Sequence, residues 1–273
     1  MRLTVALISD VFFGPDGGPR LRARLAEAKS GGADLAVLPE IPLNPWSPAT
    51  PIPKPDDAEP PGGPRHQMLS ACAREVQIGV LGGAIVADPS TGRRHNTALV
   101  FGASGALVAT YQKVHLPDEE GFHEPRHYEP GSEPPAVVRA FGLPFGIQIC
   151  SDMNRPEGSH LLGAMGAAAI FNPRATQAAT YERWKLVFRS NALTSTAYVL
   201  SVARPAPEQG VGLGGASIAV DPNGDVLAES DDPVVLVQLE EQVVADARRR
   251  YPGYLRLYPS VYARGWSALV EPH

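Results

Sequence analysis

Short apolar runs alternate along this chain with longer windows of helical spacing. Residues 3–8 are a near-continuous apolar run, the pattern of a strand covered on both faces. Residues 21–30 have helical composition and stop at Gly31-Gly32, in agreement with glycine as a helix C-cap. Asp34-Leu35-Ala36-Val37-Leu38 reads as a second buried strand, ended by Pro39. Residues 65–76 predict a helix and 78–86 a strand, while the Pro/Gly-rich residues 51–64 predict a surface loop long enough to serve as a functional lid. Residues 97–101 and 106–111 flank Gly102-Ala103-Ser104-Gly105, and residues 217–220 and 226–229 flank Asp221-Pro222-Asn223-Gly224. Both sets predict hairpins, and their likeness suggests two related halves, each placing a helix pair on one sheet. The strongest helix is 179–197, where Tyr181, Trp184, Phe188 and Ala192 share a face and Glu182, Arg183, Lys185 and Arg189 fall off it. A second strong helix spans 240–251.

Composition narrows what such an alternating chain is. Its 273 residues are 44% hydrophobic and 19% charged, enough apolar content to bury a core. No compositional break divides it, so residues 1–273 are expected to form one domain. Lys and Arg number 24 against 29 Asp and Glu, giving a net charge of −5 with no basic stripe, which disfavours nucleic acid as a partner. Two cysteines, Cys72 and Cys150, support neither a disulfide framework nor a cysteine-rich metal site, and point to the cytoplasm. The first apolar run is too short for a signal peptide, and no run reaches the roughly 18 residues of a spanning helix. The end, Val270-Glu271-Pro272-His273, matches no lipidation motif. A soluble cytoplasmic protein without a membrane partner is expected.

Three reactive residues sit where apolar runs end: Glu40 after Val37-Leu38-Pro39, Lys113 after Tyr111-Gln112, and Cys150 after Phe145-Gly146-Ile147-Gln148-Ile149. Taken singly, each has a plainer reading. Cys150 would be a small core residue, Glu40 a cap or rim residue, and Lys113 an exposed charge. Position changes the balance, because ligands in α/β sheets gather at the carboxyl ends of strands. The polar run 151–158 argues against a plain core strand around Cys150. Pro156 suits the first turn of a helix, which would put Cys150 near a helix N-terminus and lower its thiol pKa.

These segments together resemble the nitrilase, or carbon–nitrogen hydrolase, superfamily over nearly the whole chain. The resemblance lies in Gly32-Ala33-Asp34-Leu35-Ala36-Val37-Leu38-Pro39-Glu40, in His95-Asn96-Thr97-Ala98 leading to Tyr111-Gln112-Lys113-Val114-His115-Leu116-Pro117, and in Pro130-Gly131. It continues through Gly146-Ile147-Gln148-Ile149-Cys150-Ser151-Asp152, Arg155-Pro156-Glu157 and Gly215-Ala216-Ser217. It implies an α/β fold, a four-layer αββα sandwich of the nitrilase type, assembled as a homodimer or larger homo-oligomer. It also implies a Glu–Lys–Cys catalytic set, carried over as Glu40, Lys113 and Cys150. Many members have a second glutamate between the lysine and the cysteine, and counting back from Pro130-Gly131 puts it at Glu124, with Glu120 the runner-up.

The implied chemistry is coherent in itself. Cys150 would attack an amide carbonyl as thiolate while Glu40 takes the thiol proton and passes it to the leaving nitrogen. Lys113 and the Ser151 N–H would stabilise the oxyanion, Glu124 would position Lys113 and the amide, and water activated by Glu40 would release the acyl group. No metal or organic cofactor is required, and no metal-ligand spacing is present. Ser151, Asn154, Trp46 and Arg174 are the candidate substrate-binding residues, although Trp46 could equally pack the Pro-rich loop and Arg174 could be structural. His115 and His123 read as structural.

Departures from the family pattern refine the substrate. Ser151-Asp152 stands where true nitrilases have Trp-Glu, which disfavours a nitrile. Met153 and Asn154 stand where D-carbamoylases place arginines. Asn191-Ala192-Leu193-Thr194-Ser195 lacks a charged group that usually supports the partner interface. The reading is therefore a cysteine hydrolase of non-peptide C–N bonds in small linear amides or N-carbamoyl amines, releasing ammonia. The alternatives are a catalytically silent interaction protein of the same fold, and a nitrilase proper. An acyltransferase using the same thioester ranks last.

Overall fold

Alternate residues of the first strand, β1 (Arg2–Ile8), enter two different cores: Leu3, Val5 and Leu7 join one apolar cluster, while Ala6 and Ile8 join another. A strand covered on both faces needs a layer on each side. The computed structural model describes residues 1–269; the tail read above for a lipidation motif, Val270–His273, lies outside them.

The first half runs β1, α1 (Gly17–Ser30), β2 (Leu35–Val37), β3 (Ala58–Glu59), α2 (Pro64–Val76), β4 (Gly79–Ala87), β5 (Arg94–Phe101) and β6 (Leu107–Gln112). A small hairpin, β7 (Asp118–Glu119) and β8 (Phe122–His123), and a short helix, α3 (Glu124–His127), connect it to the second half. That half runs β9 (Val138–Ala140), β10 (Leu143–Ile147), α4 (Pro156–Ala164), β11 (Ala169–Arg174), α5 (Tyr181–Ser195), β12 (Tyr198–Ala203), β13 (Ser217–Val220) and β14 (Val226–Ser230). The chain then returns through β15 (Val234–Glu240) to α6 (Glu241–Arg249) and α7 (Pro259–Ser267).

The two sheets repeat one topology. In the first, β1, β2 and β4 are parallel, and β5 and β6 follow as an antiparallel hairpin. In the second, β10, β11 and β12 are parallel, followed by the antiparallel hairpin β13–β14. Leu3, Val5, Leu35 and Leu81 of the first sheet meet Phe145, Ile147, Phe171 and Leu200 of the second in one core. Helices α1 and α2 cover the other face of the first sheet through Leu21, Leu25 and Leu69. Helices α4 and α5 cover the second through Leu162, Phe188 and Ala192. The layers are thus α, β, β, α, and the paired hairpins read from the sequence are the ends of equivalent halves.

Two expectations need revision. The first helix starts at Gly17, four residues before its apolar spacing becomes visible at Leu21. Residues 51–64 are not simply a surface loop: Ala58 and Glu59 pair in parallel with Ile85 and Val86. The buried Glu59 carboxylate accepts the Arg65 and His66 N–H groups at 2.7 and 2.9 Å, holding the start of α2 through its orphan donors.

Candidate active site

Strand ends deliver the reactive groups to one place. Glu40 follows β2, and the chain turns sharply after it, with Ile41 at φ +37°. That turn is wrapped around the buried Arg204, which donates to the carbonyl oxygens of Glu40, Ile41 and Asn44 at 2.8, 2.9 and 2.9 Å. Its remaining N–H groups grip the Glu208 carboxylate at 2.8 and 2.7 Å. Lys113 extends the β6 ladder by one bond, its N–H donating to the Asn96 carbonyl at 2.9 Å. Glu124 opens α3. Cys150 heads a 3₁₀ turn, Cys150–Asn154, at φ +48°, a left-handed backbone conformation that a side-chain-bearing residue adopts at a cost.

Lys113 lies between two carboxylates. Its Nζ is 2.8 Å from Glu40 Oε1 and 2.7 Å from the Glu124 carboxylate, and none of the three side chains is exposed. Asn96 Nδ2 also donates to Glu40 Oε1 at 2.8 Å, and the Ala175 N–H donates to Oε2 at 2.9 Å. The Cys150 thiol donates to the carbonyl of the same residue, Ala175, at 3.4 Å. One residue of backbone therefore ties the carboxylate and the sulfur to a common frame. Both Glu124 oxygens lie 2.7 Å from Lys113 Nζ.

The electrostatics follow from one cation serving two acids. Burial alone would strip the proton from Lys113, but Glu124 and Glu40 outweigh it and hold the ammonium above its ordinary range. A single ammonium neutralises one carboxylate; the other keeps its proton more readily, and burial pushes Glu124 up to about 8 against the pull of Lys113. The Cys150 thiol is pushed well above its ordinary value by burial and then by Glu40, with Lys113 opposing. This reverses the expectation of a thiol acidified by a helix N-terminus. The long helix starts only at Pro156, and burial dominates at Cys150.

Asp152, read in the sequence only as a departure from the nitrile-hydrolysing pattern, binds the Lys113 and Cys150 segments together. Its buried carboxylate accepts Tyr111 Oη at 2.8 Å, the Val114 and His115 N–H groups at 3.1 and 2.9 Å, and the Ile149 N–H at 3.1 Å. His115 Nδ1 is 2.9 Å from it, so His115 has the structural place expected of it. Residues on either side of Lys113 and Cys150 thus share one anion.

A cavity of about 390 Å³ opens over Cys150, and Ser151, Asn154, Phe122, Ala175 and Thr176 line it. Of the four candidate substrate-binding residues, Ser151 and Asn154 therefore reach the cavity, and Trp46 and Arg174 do not. Trp46 is buried behind it, packed edge-on against Phe122 with Nε1 donating to the Gly121 carbonyl at 2.9 Å. Arg174 is buried too. Its guanidinium is consumed by Ser201 Oγ at 2.9 Å, Thr176 Oγ1 at 2.7 Å and the carbonyls of Gly214, Gly215 and Ala216, and burial pulls it down to about 10. Both are supports rather than contacts for a ligand. The proline-rich loop contributes nothing to the cavity wall, contrary to a lid. Glu120, the runner-up to Glu124, is exposed in the β7–β8 turn. Among the described residues no group of three or more His, Cys, Asp or Glu is placed to hold a metal ion.

Comparison with known proteins accords with this arrangement. The family model described as carbon–nitrogen hydrolase matches residues 18–249. A hydrolase of Schizosaccharomyces pombe is 30% identical over 266 residues, spanning 92% of this chain and 80% of its own. The omega-amidase NIT2 of Homo sapiens is 30% identical, spanning 91% of each chain. The crystal structure of Saccharomyces cerevisiae Nit3, a member of branch 10 of the nitrilase superfamily, superposes with a TM-score of 0.77 at 29% identity, over 92% of this chain and 94% of that one.

Proposed function

The chain belongs to the carbon–nitrogen hydrolase family, and we propose that this cysteine-dependent amide hydrolase acts on an ω-amide, a terminal carboxamide at the far end of a short chain from its principal acid group. The observation that carries the chemistry is an ammonium buried between two carboxylates beside a thiol at the floor of a small cavity.

Glu40 is the proton shuttle. It takes the Cys150 proton as the sulfur bonds to the amide carbon, then protonates the departing nitrogen, so ammonia leaves and a thioester remains. The raised thiol pKa fits this order, since deprotonation is then coupled to attack rather than preceding it. Lys113, held cationic by its two partners, and the Ser151 N–H at the start of the 3₁₀ turn stabilise the oxyanion. Glu124 fixes Lys113 in place. Water deprotonated by Glu40 then breaks the C–S bond, releasing the acid and returning the proton to sulfur.

A homodimer or larger assembly in the cytoplasm completes the proposal, with residues 1–273 acting as one domain. Leu161, Met165, Leu186 and Leu193 stay exposed on the α4–α5 layer, as do Tyr254, Tyr258, Tyr262 and Trp266 of the C-terminal arm. Both cysteines are unpaired thiols, which suits a reducing compartment. No helix among the described residues is long and apolar enough to cross a membrane.

The test is ammonia release from a panel of amides, N-carbamoyl amines and nitriles by wild type and Cys150→Ala. Wild type turns over amides and the variant does not; equal turnover by the two proteins rules the mechanism out. A silent interaction protein would show no turnover in either, although it would have no need of four chemically matched groups.

A further inference from the structure

We propose that Arg183 is the specificity residue of this enzyme, pairing with a carboxylate at the end of the substrate opposite the scissile amide. The inference deepens the ω-amide reading and rests on it.

The amide end of any substrate is fixed over Cys150, so the rest of the molecule must run along the cavity walls. Those walls carry two charged side chains, Arg183 from the first turn of α5 and Glu119 from the β7–β8 hairpin. Neighbouring cations already have partners within the chain. Lys185 pairs with Glu229 at 2.8 Å, Arg189 donates to the Gly224 carbonyl at 2.8 Å, and Arg174 is consumed by the β11 surroundings described above. Arg183 makes no ion pair and no side-chain hydrogen bond among the described residues. Nor does the helix explain it. A cation in the first turn stands at the positive end of the helix dipole, where it is mildly unfavourable. What that placement does favour is an anion in front of it. Asn154 and Thr180 line the same cavity and add polar groups suited to a carboxylate.

Glu119 sharpens the class. A second negative charge on the substrate would meet it unfavourably, so the preferred substrate is a monoanion: the monoamide of a short dicarboxylic acid, with an ammonium tolerated beside the carboxylate. The cavity volume of about 390 Å³ is near the lower end of small-molecule sites, which suits a chain of a few carbons.

The experiment measures ammonia release from glutaramate, the neutral pentanamide and the cationic 5-aminopentanamide by wild type, Arg183→Gln, Arg183→Lys and Arg183→Glu. The quantity read is the kcat/KM ratio between substrates, which cancels any general loss of activity. Wild type favours glutaramate over pentanamide. Arg183→Gln lowers that ratio by about two- to fivefold, as for an exposed charge pair, chiefly through KM. Arg183→Lys retains part of it, Arg183→Glu shifts preference toward 5-aminopentanamide, and added salt weakens the wild-type preference. A ratio unchanged in Arg183→Gln, or a wild type indifferent to substrate charge, overturns the Arg183 assignment while leaving amide hydrolysis standing. Failure of wild type to release ammonia from any amide overturns the hydrolase reading itself, and the assignment with it.

Discussion

Replacing Asp152 by asparagine isolates the anion that ties the Lys113 strand to the Cys150 turn. The carboxylate receives three contacts at Oδ1, from Val114 N, His115 N and His115 Nδ1, and two at Oδ2, from Tyr111 Oη and Ile149 N. An amide oxygen can keep the Oδ1 set. Its NH₂ group must then face the other two. The Tyr111 hydroxyl can rotate to accept, but the Ile149 N–H cannot, and it becomes a buried donor pointed at another donor. One such loss, with the weakening of the charge-assisted bonds that remain, costs about 2–4 kcal/mol. For a chain of this size that corresponds to a fall of about 4–8 °C in Tm. Catalysis should suffer more than stability suggests. The tether spans both reacting segments, and a misplacement of about 1 Å can cost roughly 100-fold in rate. Thermal denaturation and steady-state ammonia release on the same preparations check both numbers. Tyr111→Phe is the control: it deletes one Oδ2 contact without introducing a donor, so its effect is smaller on both readouts. An Asp152→Asn protein with wild-type Tm and wild-type kcat/KM would refute the claim that this carboxylate holds the Lys113 and Cys150 segments together.

Two further substitutions probe the charges. Lys113→Met leaves Glu40 and Glu124 buried without their cation, which should cost about 3–5 kcal/mol of stability by denaturant titration; it also removes the group that favours the thiolate, so iodoacetamide labels Cys150 more slowly than in wild type, and unchanged labelling counts against that electrostatic role. Glu124→Gln tests the carboxyl that burial raises from 4.5 to about 8. The folded state binds this proton more tightly than the unfolded one, so the stabilisation is complete below the unfolded value and is lost as pH rises through the folded value. Wild-type stability should therefore decline relative to Glu124→Gln between those two pH values, by at most about 1.4 kcal/mol per pH unit. Parallel pH–Tm curves for the two proteins would show that Glu124 ionises normally.

Part of the architecture was legible because β1, β2, β4 and the two hairpins carry a complete local signal. Residues 3–8 are apolar on both faces, and β1 is sandwiched on both faces. The hairpin turns at Gly102–Gly105 and Asp221–Gly224 had the residues their geometry requires, and both formed. The helix 179–197 was visible through its apolar stripe and appears as Tyr181–Ser195. The start of α1 was less visible, because its first turn contains Gly17, Gly18 and Pro19 and no apolar spacing. The strand at Ala58–Glu59 was hidden for a different reason: a two-residue edge pairing has no period to detect, and its stability comes from β4 and from the bonds Glu59 makes to α2.

At the site, the useful sequence signal was a polar residue at the end of a buried apolar run. That signal reports the carboxyl edge of a sheet, and it does so without regard to role. Glu40, Lys113 and Cys150 satisfy it, but so do Arg174 at the end of β11 and Arg204 just after β12. The first three gather around one another; the two arginines turn into the protein and hold the loops that shape the cavity. Local sequence does not separate these outcomes, because several of the deciding partners lie far along the chain. Arg204 finds the Glu40 carbonyl across a sequence separation of 164, and Asp152 finds Val114 across 38. The same reasoning explains Trp46, whose indole N–H is satisfied by Gly121, 75 residues on. An aromatic beside a catalytic glutamate can line a pocket only while its polar tip lacks a buried acceptor; once it finds one, burial of the whole ring is the lower-energy choice. Residue type and position therefore select which side chains reach the carboxyl edge of the sheets, and hydrogen-bond satisfaction at long range decides which of them gather around Lys113 and which turn away to hold loops.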